Sequence, residues 1–139
     1  MTLEQLFLNA ENRLYNLGWF PWSSDARAQE REQADALCED LSERHAGLPR
    51  LHATLDDARQ RWDELVLQST MLASRIEASV FNKDSDAAWR LALELDQTRR
   101  AAEEECERVG RLQRKAREAE EMILRLESRL AQLQEKLYS

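Results

Sequence analysis

Apolar residues recur at alternating steps of three and four through the last third of the chain, over seven heptads. One set of positions is Ala88, Leu95, Ala102, Val109, Ala116, Ile123, Leu130 and Leu137, and a second is Leu91, Leu112, Ala119, Leu126 and Leu133. The second set is interrupted only by Thr98 and Glu105. Such a heptad pattern is typical of a long helix packed lengthwise against another helix. We therefore predict a helix over 85–138.

A matching pattern runs from Leu37 to Ile76, also in steps of four and three, and predicts a second long helix over 24–81. Its register continues through Gly47-Leu48-Pro49 without a change of phase. This continuity favours a proline kink near Pro49 within one helix. The alternative is a break, with the proline at the first position of a new helix.

A short N-terminal helix is predicted over 2–18, because Leu3, Leu6, Phe7, Ala10, Leu14 and Leu17 form one apolar stripe. The segment 82–86 is the clearest turn signal, and two long helices joined by a short turn lie antiparallel. The predicted fold is therefore all-α: a long antiparallel helical hairpin, or coiled coil. The N-terminal helix would make a three-helix bundle at one end. We expect one elongated helical domain over 1–139.

The hairpin predicts which residues face one another, because a turn centred between Lys83 and Asp84 makes the numbers of facing residues sum to about 167. Ser69 would then face Thr98 in a shared polar layer, and Trp62 would lie near Glu105. Arg44 would lie near Glu120 and Glu121, and Asp56 and Asp57 near Arg108 and Arg111. Polar residues at core positions commonly set register, and we assign that role to Arg44, Ser69, Thr98 and Glu105.

Composition narrows the class of protein further. The net charge of −7 disfavours binding to nucleic acid and to anionic membranes. Two cysteines, Cys38 and Cys106, without short spacing fit a reducing compartment. No apolar run is long enough to span a bilayer, and Met1–Gly18 lacks a basic region before its apolar residues. We therefore expect a cytoplasmic protein.

Candidate chemistry is sparse along the chain. His45 and His52 are seven residues apart, whereas metal-binding pairs on a helix lie three or four apart, so we interpret them as solvated or hinge-lining. No catalytic, cofactor or metal constellation is recognisable, and we expect no enzyme activity. The aromatic residues Trp19, Phe20 and Trp22 are candidate partner-docking residues. Their alternative role is to close the end of the bundle.

Two short motifs resemble those of spectrin repeats. Ala10-Glu11 with Leu14 is similar to the first-helix pattern, and Arg61-Trp62-Asp63-Glu64-Leu65 is similar to a recurrent third-helix motif. The resemblance covers about residues 3–80. It implies a three-helix repeat with breaks near 18–24 and 47–49, acting as a spacer or docking platform in a cytoskeletal or scaffold protein. The family's first-helix Trp position would fall at Leu6.

These observations favour a non-enzymatic structural or scaffolding protein that spaces or docks protein partners through helical surfaces. We expect that the chain can also form a homodimer, because Val66, Leu67 and Leu93 flank the core positions. One alternative is a peripheral membrane module that uses the first helix and Trp19–Trp22. Another is a small secretion-type chaperone or cargo adaptor.

Overall fold

A computed structural model of the chain describes the backbone of residues 22–138 and the side chains of residues 26–138. Helix α1 spans Trp22–Phe81 and helix α2 spans Ser85–Tyr138, with 60 and 54 residues. The two helices pack against each other, which confirms the all-α class with two long helices. The predicted helix over 2–18, and with it the three-helix bundle, lies outside the described residues.

The turn between the helices is fixed by backbone and side-chain hydrogen bonds. The amide of Asp84 donates to the carbonyl of Ser79 at 2.9 Å, and Lys83 adopts a left-handed conformation with φ of 60°. A left-handed residue ends a helix because its own amide and the amide of the following residue donate to carbonyls of the last helical turn. Asp84 then caps α2, since its Oδ1 accepts a hydrogen bond from the amide of Ala87 at 3.2 Å.

Helix α1 continues through Pro49, so the helix does not break at this proline. A proline has no amide hydrogen, and the carbonyl of His45, four residues earlier, therefore lacks its helical donor. The break near 47–49 that the spectrin resemblance implies is absent. Within the described residues α1 is accompanied by α2 alone, whereas a spectrin-like repeat would fold 24–81 into two helices.

The paired helices form two compact units. Among the described residues one unit comprises Gly47–Glu120, which includes the turn, and the other joins 22–46 to 121–138. In the first unit Leu55, Ala58 and Val109 form a buried cluster, against which Trp62 and Leu112 pack. Ala58 with Val109, and Leu55 with Leu112, have numbers that sum to 167, so the cluster fits the predicted register. Burying one such leucine contributes roughly 1.5–3 kcal/mol.

The described part of the second unit, 26–46 and 121–138, has its own buried positions. They are Ala34, Leu41, Ile123 and Leu133, all at heptad core positions. Leu124, by contrast, is 65% exposed, and Met122 is half-buried.

Candidate docking surface

The most distinctive surface of the molecule is apolar and lies on both sides of the turn. Nine large apolar residues are exposed among those described, and seven of them fall between residues 66 and 93, within the unit Gly47–Glu120. We call these seven residues the turn-end surface: Val66, Leu67, Met71, Val80, Phe81, Trp89 and Leu93. Trp89 is 67% exposed and Phe81 is 88% exposed. Clusters of exposed aromatic and aliphatic side chains mark interaction sites.

Charge is scarce where this surface crosses α1. The stretch from Leu65 to Phe81 contains only two charged residues, Arg75 and Glu77, although charged residues make up 34% of the chain. A helix that carries apolar side chains outside its core stripe can bury them against a second neighbour. Helix α2 covers only the side of α1 that carries Leu72, which is buried. The remaining apolar side chains are therefore available to a partner.

Two histidine–glutamate pairs join α1 to α2. Within one unit His52 Nε2 lies 3.1 Å from Glu120 Oε1, and within the other His45 Nε2 lies 3.0 Å from Glu127 Oε1. All four side chains are about half exposed, so each pair contributes little to stability, on the order of 0–1 kcal/mol. The exposure of both histidines agrees with their interpretation as solvated residues, but their glutamate partners on α2 were not predicted. The available signal was the shared spacing of seven on each helix.

The predicted interhelical partners of Arg44 and of the aspartates differ from those observed. Arg44 is exposed and pairs with Asp40 at 3.0 Å, one turn earlier in its own helix. Asp56 lies 3.8 Å from Arg59, again within α1. Short ion pairs within one helix are geometrically easier for exposed side chains than pairs across helices. The ion pairs observed for Arg44 and Asp56 therefore lie within α1, whereas the register suggested partners on α2.

The polar residues at core positions differ in whether their polar atoms have hydrogen-bond partners. The hydroxyls of Ser69 and Thr98 each donate to a carbonyl four residues earlier in the same helix, Leu65 and Glu94, at 2.9 Å. The predicted shared layer therefore contains no hydrogen bond between the two hydroxyls. Glu105 is different, because its Oε2 is buried without a hydrogen-bond partner. Its Oε1 lies 3.8 Å from Arg108 Nη1.

The other candidate residues are placed as follows. Trp19 and Phe20 lie outside the described residues, and Trp22 is the first residue of α1 with its side chain outside the description. Their docking role stays a prediction. Cys38 and Cys106 are free and exposed.

The described residues contain neither a metal-ligand cluster nor a membrane-spanning helix. Across the described side chains, no group of three His, Cys, Asp or Glu residues is placed to hold a metal ion. Neither described helix is long and apolar enough to cross a membrane.

Comparison with known proteins adds no family. No protein-family model matches the sequence, and no curated protein or solved structure matches it significantly.

Proposed function

We propose that this chain is a non-enzymatic structural or scaffolding coiled-coil protein that docks protein partners through its helical surfaces. The observation that carries the proposal is the turn-end surface, an exposed apolar area on a chain that is otherwise rich in charge. Paired helices keep such a surface in a fixed arrangement, which lowers the entropic cost of binding a partner.

The chemistry of the surface favours a protein partner. Trp89 and Phe81 supply large apolar areas, and the nearby Leu93 and Val80 supply a rim of aliphatic side chains. Aromatic anchors surrounded by aliphatic contacts are typical of the centres of protein interfaces. The net charge of −7 disfavours anionic lipid and nucleic acid as the ligand. We place this activity in the cytoplasm, in keeping with two cysteines that remain free.

Site-specific photo-crosslinking in the source cells tests the proposal. A photoreactive phenylalanine derivative would replace Trp89, and a matched control would place it at Gln97, an exposed polar position on the same helix. We expect a discrete protein adduct from position 89, lost when Leu93→Lys is added, and none from position 97. Equal labelling from both positions, or no protein adduct from position 89, would refute docking through this surface.

The peripheral membrane alternative makes a different prediction for the same chain. Flotation with vesicles of anionic and zwitterionic lipid would carry the protein upward if it were a membrane module. We expect the protein to stay at the bottom of the gradient. Flotation that is abolished by Trp89→Lys would replace the scaffold with a lipid-binding function.

A further inference from the structure

One flank of the hairpin changes from polar to apolar toward the turn. The pair of His52 and Glu120 fixes which residues share this flank, because residues seven apart on each helix repeat the same position. On α1 the repeat continues through Arg59, Val66, Ala73 and Val80, and on α2 it runs back through Gln113, Cys106, Arg99 and Ala92. We call these positions the apolar flank where they lie within 66–106. The flank is continuous with the turn-end surface.

The opposite flank of the same unit has a different character. Its repeating positions near the turn are Arg61, Gln68 and Arg75 on α1, and Ala87, Glu94, Ala101 and Arg108 on α2. Five of these seven side chains are polar or charged, whereas Val66, Ala73, Val80 and Ala92 make up most of the apolar flank. One side of the hairpin is therefore suited to further packing and the other to solvent.

Three exposed apolar side chains lie on the apolar side of the hairpin: Val66 and Val80 belong to the flank, and Trp89 lies three residues before the flank residue Ala92. Leu67, Phe81 and Leu93 each follow a flank residue by one position. A step of about 100° around the helix turns each of these three side chains away from the other helix, at the border of this area. Met71 lies farther around α1, beyond this area.

Arg99 and Glu77 on the apolar side have opposite charges, so two copies of this surface can pair them with each other. Arg99 lies on the flank opposite Ala73, and Glu77 lies four residues after Ala73, about 6 Å nearer the turn. Both side chains are exposed, and neither has an ion-pair partner among the described residues. In a two-fold symmetric contact residue i meets residue j of the other copy, and j meets i. An axis between these two residues would set each Arg99 against the Glu77 of the other copy.

We propose that the occupant of the apolar flank is a second copy of this chain, so that two hairpins pack flank to flank as a symmetric four-helix dimer. The inference rests on the proposed function and names the partner of the same surface. The nearly uncharged stretch Leu65–Phe81 supports self-contact, because identical surfaces meet without like-charge repulsion. The two Glu77–Arg99 contacts then fix the alignment of the copies.

Sedimentation equilibrium of the full chain tests the dimer directly. The wild-type chain is expected to dimerise, and Val66→Lys with Val80→Lys to leave a folded monomer with unchanged helical circular dichroism. Gln68→Lys, an exposed position on the opposite flank, serves as the matched control and should leave the dimer intact. A chain that stays monomeric at its highest soluble concentration would overturn the proposal, as would a dimer that survives both lysine substitutions.

Charge exchange tests the symmetry. Glu77→Arg and Arg99→Glu should each weaken self-association at least tenfold, because each variant brings like charges together in both contacts. An equimolar mixture of the two variants pairs opposite charges in both contacts, and it should associate at least tenfold more tightly than either variant alone. A mixture no tighter than its components would overturn the Glu77–Arg99 alignment. If the chain is monomeric while position 89 still crosslinks to a different protein, the dimer fails and the scaffolding proposal stands.

Discussion

Replacing Glu105 by leucine is expected to stabilise the protein. Glu105 occupies a core position of α2, its side chain is only 21% exposed, and its Oε2 is buried without a hydrogen-bond partner. Leaving a buried polar atom unpaired costs roughly 1–3 kcal/mol. The 3.8 Å separation from Arg108 recovers less than about 1 kcal/mol, because that arginine is 40% exposed. Leucine removes the cost and adds buried apolar area, so we expect a gain of about 2 kcal/mol in the free energy of unfolding.

Urea denaturation followed by circular dichroism measures this gain. With a slope of roughly 1–3 kcal/mol per molar urea, a change of about 2 kcal/mol moves the midpoint by about 1 M. Glu104→Leu is the matched control, because Glu104 is the exposed neighbour, and its effect should stay within about 0.5 kcal/mol. A Glu105→Leu variant that is less stable than the wild type would refute the reasoning. It would show that the carboxylate is held by a favourable contact in the native state.

Three further predictions concern the helices and the turn. Pro49→Ala should raise the free energy of unfolding by about 1–3 kcal/mol, because it restores a hydrogen-bond donor to an otherwise continuous helix. A lower free energy of unfolding, or a loss of helical circular dichroism, would contradict this. A double-mutant cycle on His52 and Glu120 should give a coupling of about 0–1 kcal/mol that falls in high salt, and a salt-independent coupling above about 2 kcal/mol would contradict the exposed pair. Asp84→Ala should cost about 0.5–2 kcal/mol in thermal or urea unfolding, since the amide of Ala87 loses its acceptor, whereas Asp84→Asn should cost less.

The helices were predictable from sequence because their cores repeat the same apolar spacing. Leu55, Ala58 and Val109 are buried where the heptad positions place them, and the Asn82–Asp84 turn separates the two patterns. Burying apolar side chains contributes a large part of the folding free energy, and only one register of the two helices buries most of them. Helix α1 continues through Pro49 for the same reason, because a break would have changed the phase of the leucines around it.

The ionic contacts were not predictable in the same way. Exposed charged side chains are long and can reach several partners, whose energies differ by less than about 1 kcal/mol. Arg44 therefore pairs with Asp40 instead of with α2, and Glu120 is taken by His52. The residue numbers of facing residues also add up differently on the flank and in the core. His52 and Glu120 on the flank give 172, whereas Ala58 and Val109 in the core give 167.

The turn-end surface was foreseen only in part. The heptad pattern indicated that Val66, Leu67 and Leu93 flank the core and stay partly exposed. The exposure of Phe81 and Trp89 depends on where α1 ends and α2 begins, which Lys83 and its left-handed backbone decide. An apolar residue beside a turn can close the end of a core or point to solvent, and sequence spacing alone does not separate the two.

Intrachain antiparallel pairing of α1 and α2 is the central claim, and spin-label distances test it most directly. One label would be placed at Arg59→Cys, and the second in turn at Cys106, Gln113→Cys or Glu120→Cys, with the unused cysteines changed to serine and the labelled chain diluted in unlabelled protein. The hairpin predicts the shortest distance for position 113, because positions 106 and 120 are each displaced by about 10 Å along the helix. A minimum at 106 or 120, or a signal that disappears on dilution, would contradict the hairpin and its register.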